Sequence, residues 1–590
     1  MSLFNLDKEA LDYDVVICGG GLAGQTLARQ LKREYANITV LILERATFPL
    51  PETTTKVGES TASIGGYYLS DMLGLDEYLK NSHYEKLGFR FYFGDSRKPF
   101  EDRPELGINE YPYYKAFQID RGPFETDLCR MNILDGVDVQ EGVSVRDIQL
   151  AEEGSEALHS ITIRNKDGEE AEVKGCWVVD AMGRGGFLQR KLGLRKMKKE
   201  KPYSSVWFHV DGRLDVEDFV SLDNTDWHKR IETKKRFFAT NHLLGKGYWF
   251  WIIPLTSNTT SIGLVTEEAY HPFDTYNTPE AAREWITSYE PDLARHLDGK
   301  PFVDFKKLKN YSYTAKQVFS ANRWACSGES AVFPDPLYSP GTNLIAYENT
   351  IIRHLIGLDR EGRMEQRHVE HFNHYILSQN DWLTHTIQSA YSYFDNALVY
   401  SLNFIWDLSI DWSFGVPQVK YQTFLHTADN DELQQVNGRL FSLVVKMQGL
   451  FAQWGEKSRR RFTFGYIDYH VIPFLQHFLR IINGEGEIAD KLNRCLDKLE
   501  ELAQVIFYIA LEDCNPQWLD RMPAPFWVNV WAVGLDPEKW EKDGLLMPSS
   551  QPRELIRLLN EMKALYIDTE KTQPDTGNQN EELSTAFNFG

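Results

Sequence analysis

The chain has 590 residues, 42% hydrophobic and 25% charged, an ordinary globular composition in a length that predicts two or three cooperating subdomains. Lys plus Arg number 64 against 85 Asp plus Glu, a net charge of −21 that repels phosphate backbones and argues against a nucleic-acid partner. The six cysteines, Cys18, Cys129, Cys176, Cys326, Cys495 and Cys514, form no CxxC pair, so neither metal-ligand spacing nor a disulfide framework is present.

The opening "MSLFNLDKEALDYD" has neither the basic start nor the apolar core of an export signal. No uninterrupted apolar run is long enough to span a bilayer. The reading is a cytoplasmic, reduced protein without a transmembrane segment.

In chain order, "YDVVIC" ending at Cys18 predicts a buried strand, and "LAGQTLARQLKREY" a helix with apolar residues at helical spacing. "NITVLILE", ending at Glu44, is a second strand, so the chain opens as βαβ and predicts a doubly wound parallel sheet. Short alternating strands follow from Asp135 to Asp180, with a hairpin turn at "KDGE". "SSVWFHV" and "GYWFWIIPL" predict a second, mostly antiparallel sheet. "SANRWACSGESAVFPDP" carries one more strand, and "TNLIAYENTIIRHLIG" a helix starting near Thr342. Beyond about Arg360 the pattern turns helical and aromatic.

Gly19, Gly21 and Gly24 form GxGxxG between the first strand and helix. Gly19 permits a tight turn, Gly21 lets the backbone approach a pyrophosphate, and Gly24 allows close helix–strand packing. The helix start at Leu22 and Ala23 then aims free N–H groups at the phosphates. Glu44, about 20 residues on, is placed to bind ribose hydroxyls. Further on, "GESAVFPDPLYSPGTNL" (Gly328 to Leu344) presents a strand end, the acid Asp335 and a second helix N-terminus. That suits a flavin, whose pyrimidine edge gathers negative charge on reduction.

These residues carry a family resemblance. The chain resembles the flavin-dependent halogenases, a branch of the FAD monooxygenases related to the p-hydroxybenzoate hydroxylase fold. The likeness rests on "VVICGGGLAGQTLARQL" with Glu44-Arg45, "KVGESTASIGGYYL" (Lys56 to Leu69), "VVDAMGRGGFLQRKLG" (Val178 to Gly193) and "DPLYSPG" (Asp335 to Gly341). Hydroxylases share those four. The discriminating stretch is "WFWIIP", which matches the WxWxIP signature through Trp249, Trp251, Ile253 and Pro254. In the family these residues wall the flavin side off from the substrate side.

The resemblance implies an α/β fold with a Rossmann-type FAD-binding domain, a second, mostly antiparallel sheet and a helical C-terminal region. The chain divides into an FAD and substrate-sheet module over 1–360, a helical region over 361–568 where the resemblance fades, and a polar, aperiodic tail over 569–590 that predicts disorder. FAD segments fall at 13–70, 120–200 and 320–360, and the substrate sheet at about 80–118 and 201–319. Arg45, Lys56, Arg121, Asp335, Gly341 and Thr342 join the glycine motif as cofactor contacts.

The family's catalytic lysine heads a strand reading K-x-G-x-x-F, matched here by Lys86, Gly88 and Phe91. Reduced FAD, dioxygen and halide then give hypohalous acid, which migrates to Lys86 and halogenates an arene. The alternative for Lys86 is a solvated lysine beside Glu85, and Lys56 is the rival lysine, placed nearer the flavin. Two departures stand out. Where tryptophan halogenases carry a glutamate before the serine of DPxxSxG, this chain has Tyr338, which points to an already electron-rich substrate, phenolic or pyrrolic. Pro340 has no N–H, leaving Gly341 and Thr342 to hold the halide, and keeps a hydroxylating monooxygenase as the alternative. The substrate is a small aromatic molecule, free or carrier-bound, and with no second dinucleotide fingerprint the reduced flavin comes from a separate reductase. The aromatic helices after Arg360 could be core, form a lid, dock a carrier or touch a membrane surface, with core first.

Overall fold

A computed structural model of the chain describes residues 12–54, 56–94, 98–197, 202–522, 528–546 and 555–569. Apart from Thr569, the expected tail lies outside the described residues. No two cysteines are bridged. No helix among the described residues is long and apolar enough to cross a membrane.

The βαβ opening forms as its pattern dictates: strand Asp12–Cys18, helix Leu22–Glu34 and strand Val40–Glu44. Both strands read as continuous apolar runs because they sit inside a parallel sheet covered on both faces. The sheet order is Phe319–Ser320, Trp324–Cys326, Glu170–Asp180, Asp12–Cys18, Val40–Glu44 and Asp138–Glu141. Register brings Cys18 opposite both Asp180 and Leu43, and Asp180 opposite Cys326. The carboxyl ends of four strands therefore finish on one edge, where open α/β sheets bind ligands. The predicted "KDGE" turn joins His159–Arg164 to Glu170–Asp180, with Gly168 at φ +89°.

The second sheet runs Lys306–Leu308, Tyr203–Asp211, Thr259–Glu267, Tyr248–Pro254, Thr240–Gly245, Phe89–Phe93, Glu105–Gly107 and Tyr466–Asp468. Its pairs are antiparallel except Thr240–Gly245 with Phe89–Phe93 and Glu105–Gly107 with Tyr466–Asp468. Side chains alternate between faces along a strand. Trp249, Trp251 and Ile253 accordingly join the core shared with the first sheet, while Phe250 and Ile252 join a separate core with Trp285 and Leu293.

Beyond Arg360 long helices dominate, among them Gln366–Ala390, Ala397–Ile410, Asp431–Lys457 and Ile488–Cys514. Their aromatic side chains are largely internal: Tyr400, Phe404, Trp406, Trp412 and Trp454 are all buried. The same stretch supplies the edge strand Tyr466–Asp468 to the second sheet. Three residues carry no periodic signal, so the sequence pattern does not announce that strand.

Candidate active site

A cavity of about 840 Å³ opens at the carboxyl edge of the parallel sheet and extends to the second sheet. Gly19, Gly21, Leu22, Ala23, Glu44, Arg45, Lys56, Arg121, Asp335, Gly341 and Thr342 all line it, as do Trp249, Trp251 and Ile253. Three of the sequence-assigned residues stand apart: Gly24, Pro254 and Lys86, the last of which lies behind Ser60. Gly24 packs under the helix: a Cβ there would lie 2.0 Å from the Gly19 carbonyl oxygen. Pro254 is not among the lining residues because the alternation of its strand turns it to the opposite face from Trp249, Trp251 and Ile253. It ends the strand rather than walling the cavity.

The glycine motif acts by geometry. Gly19 has φ +113°, and a Cβ there would meet the Ala181 carbonyl oxygen at 2.3 Å. A Cβ on Gly21 would meet nothing within 4 Å, because it projects into the cavity. Free space over a helix N-terminus is what a pyrophosphate needs. Glu44 caps the second strand and accepts the Gly20 N–H (2.6 Å) and the Ala46 N–H (2.7 Å). With a cavity of this size, its open glycine cradle and Glu44 at the ribose position, the residues fit FAD.

Lys56 and Arg121 both pair with the buried Glu125, and Arg121 also donates to the Val57 carbonyl at 2.6 Å. Asp335 lines the cavity, yet its carboxylate is already engaged. It accepts from the hydroxyls of Tyr311 and Tyr391, each at 2.6 Å, and from the Leu337 N–H at 3.0 Å. Burial pushes its pKa up, against the pull of the two tyrosines. The Tyr391 hydroxyl in turn accepts from the Trp249 indole N–H at 3.0 Å. The helical region thereby ties the DPxxSxG segment to the WxWxIP strand, a link between residues 56 and 142 positions apart that no local pattern announces.

The helix after Asp335 spans Pro340–Arg360 and so begins two residues before the expected start. Proline suits the first helical position, where its missing N–H would have had no intrahelical partner. Gly341 and Thr342 occupy the first turn, whose N–H groups precede the i→i−4 ladder.

Lys86 is 1% exposed. It lies between the strands Tyr84–Glu85 and Phe89–Phe93, at a turn where Gly88 takes φ +61°. A Cβ on Gly88 would sit 2.6 Å from the Tyr469 hydroxyl, which explains the glycine of K-x-G and shows the helical region bracing the turn. The Lys86 Nζ donates to Ser60 Oγ (2.8 Å) and the Thr61 carbonyl (2.9 Å) and stands 3.5 Å above the Phe89 ring. Burial, with no carboxylate partner among the described residues, drives its pKa well below the usual lysine value. The solvated reading is excluded. Lys56 differs in each respect: its side chain is 41% exposed and salt-bridged to Glu125.

Ser60, Thr240, His242, Trp249 and Trp251 line the cavity, and Ser60 also touches Lys86. Ser60 Oγ lies 2.9 Å from Thr240 Oγ1, so one hydroxyl pair connects the cavity surface to Lys86. Beyond Lys86, Phe89 packs against Tyr338 (5.9 Å) and Phe404 (6.2 Å), and the Tyr400 hydroxyl donates to that of Tyr338. Ser60 and Thr61 lie in the quoted "KVGEST" segment, but their bond to Lys86 depends on a fold contact of 26 and 25 residues' separation. Thr240 and His242 carry no motif at all.

The FAD-binding domain family matches residues 12–364. The chain is 24% identical over 487 residues to flavin-dependent halogenase chlA of Dictyostelium discoideum, covering 78% of each protein. It is 28% identical over 356 residues to a 1H-pyrrole-2-carbonyl-[peptidyl-carrier protein] chlorinase of Pseudomonas fluorescens, covering 56% of this chain and 73% of that one. The crystal structure of halogenase PltM shares the fold with a TM-score of 0.57 at 19% identity, over 84% of this chain and 96% of PltM. The chain belongs to the FAD-binding domain family and stands among its flavin-dependent halogenases.

Proposed function

We propose that this protein halogenates an electron-rich phenolic or pyrrolic ring, with Lys86 as the catalytic residue. The observation that carries the reading is a lysine 1% exposed, with no carboxylate partner among the described residues, hydrogen-bonded to a serine that lines an FAD-sized cavity. When bound and reduced, FAD supplies, with dioxygen, the two-electron oxidation that turns halide and a proton into hypohalous acid and water.

The chain's own residues do the rest. Gly19, Gly21 and the helix start at Leu22 hold the pyrophosphate, and Glu44 the ribose. Gly341 and Thr342 hold the halide with first-turn N–H groups, aided by the positive end of the helix dipole. Trp249, Trp251 and Ile253 keep the ring from the flavin. Lys86 hydrogen-bonds hypohalous acid and directs its halogen to the arene. The ring forms a C–X bond, its C–H bond breaks, and hydroxide leaves with the proton as water. Ammonium suits the first task and a desolvated amine of lowered pKa would favour covalent transfer.

Substrate class is read from the relatives and from Tyr338. PltM has been solved with phloroglucinol and FAD, and two relatives are pyrrole-carrier-protein halogenases, so either a free phenol or a carrier-bound pyrrole suits the site. The absence of a second dinucleotide fingerprint from the sequence supports delivery of reduced flavin by a separate reductase, and six unbridged cysteines suit the cytoplasm. The test is turnover with reduced FAD, dioxygen and bromide in the presence of a phenol, read by product mass. A brominated product supports the reading. A hydroxylated product independent of bromide would replace it with the monooxygenase alternative.

A further inference from the structure

We infer that His242 is a binding residue for hypohalous acid on its way from the flavin cavity to Lys86, a role that rests on the halogenase reading above. His242 sits on the strand Thr240–Gly245, two residues from Thr240 and therefore on the same face. Both line the cavity, and Thr240 is the residue whose hydroxyl meets Ser60, the partner of Lys86. The imidazole is stacked on Phe91, with centroids 4.9 Å apart, and is flanked by Phe89 and Trp249 at 5.7 Å each. Phe89 is the ring beneath the Lys86 ammonium. His242 thus lines the cavity and packs on the ring that lies beneath Lys86.

Its hydrogen bonding is incomplete. The residue is 2% exposed, and Nδ1 is sealed in without a hydrogen bond of good geometry, while the Arg90 and Thr240 carbonyls favour a proton on the ring. A buried polar ring with incomplete bonding costs stability, and its cavity side is where a ligand can complete it. Burial and then the nearby Lys86 charge lower its pKa to about 3, and the ring is neutral under working conditions. A neutral imidazole offers one N–H donor and one nitrogen acceptor. Hypohalous acid offers one O–H and an oxygen lone pair, so it can meet the one ring nitrogen that faces the cavity as donor or as acceptor. An imidazolium could only donate and would repel the adjacent ammonium. The aromatic cage of Phe91 and Trp249 suits the halogen end.

The test compares His242→Phe, which keeps the stack, with His242→Gln, which keeps a donor and an acceptor. Retained FAD binding verifies the fold of each. The quantity read is halogenated product per flavin oxidised, with escaped hypohalous acid caught by an external scavenger. His242→Phe should lose roughly tenfold in that ratio, the scale of one hydrogen bond, while His242→Gln recovers most of it. A second readout needs no turnover. Methanol matches hypochlorous acid in shape and hydrogen bonding, and it should shift the ¹⁵N resonance of His242 in the oxidised holoenzyme.

Coupling in His242→Phe equal to that of the natural protein, or equal loss in both variants, would overturn the inference. So would a ¹⁵N resonance indifferent to methanol. If the natural protein makes no halogenated product, the halogenase reading fails on its own account, and the methanol titration still decides whether His242 is a ligand site.

Discussion

The two ends of the cavity are built on different principles. At the nucleotide end, Gly19, Gly21 and Gly24 work through what they lack, and they lie together in one βαβ unit, with Ala181 of a neighbouring strand end closing over Gly19. At the Lys86 end side chains carry most of the features, and the partners come from separate segments and from the helical region. A backbone cradle tolerates no added bulk, whereas a side-chain site tolerates repacking but no change of chemistry. The contrast predicts that substitutions at the first end remove the cofactor and those at the second remove the product.

The largest effect is expected from Lys86→Met, which keeps the stem and deletes the amine. Halogenated product should fall by about 10²–10⁴-fold, the range for a positioned proton-transferring group, while FAD binding persists. Normal product yield would return Lys86 to a packing role. The same pair of proteins carries a pH signature. Because burial lowers the folded-state pKa of Lys86, the unfolded chain binds the extra proton between that value and the ordinary lysine range. The stability deficit is complete below the folded pKa and vanishes as pH rises toward the unfolded value. Thermal melts should therefore show the natural protein gaining on Lys86→Met as pH is raised from about 7 to about 10.

At the other end, Gly21→Val places a branched side chain where the pyrophosphate must lie. FAD affinity should fall roughly 10–100-fold, as expected for an overpacking cost converted to binding, with little change in the fold because the space is open. Flavin titration followed by fluorescence measures it, and unchanged affinity would move the cofactor elsewhere.

What the sequence made legible follows the same division. The βαβ opening, the glycine motif and Glu44 were readable because each signal is local and its spacing is set by backbone geometry. Alternation along "YWFWIIP" is equally local, and it sets Pro254 on the opposite face from Trp249, Trp251 and Ile253 although the four-letter signature groups them. Lys86 was locatable only by resemblance, since a lysine beside a glutamate reads as surface until the fold buries it. Ser60, Thr240, His242 and Tyr391 carry no local signal, because their meaning lies in contacts across 26 to 180 residues. The edge strand at Tyr466–Asp468 was too short to leave a pattern.

The tie between the two ends can be weakened without touching either. Tyr391→Phe removes the hydroxyl that links Trp249 to Asp335, leaving the buried indole N–H unpaired while Asp335 retains Tyr311. The expected loss is about 1–3 kcal/mol of unfolding free energy, the cost of one orphaned buried donor, measured by denaturant titration. A neutral result would mean that the two signature segments hold their places independently.

The smallest expected effect sharpens the comparison, because it asks whether a backbone donor matters at the boundary between the two ends. Pro340 opens the helix without an N–H, and Gly341 and Thr342 beside it line the cavity. Pro340→Thr should add a third N–H while keeping a residue that can enter a helix. A further hydrogen bond to an anion, offset by the loss of proline's preset backbone angle, should lower the half-saturating halide concentration by roughly three- to tenfold. Bromide, which is easier to desolvate and to oxidise than chloride, should be the better substrate in both proteins. The check is initial rate against halide concentration at fixed reduced FAD. An unchanged halide requirement would place the anion away from this helix start.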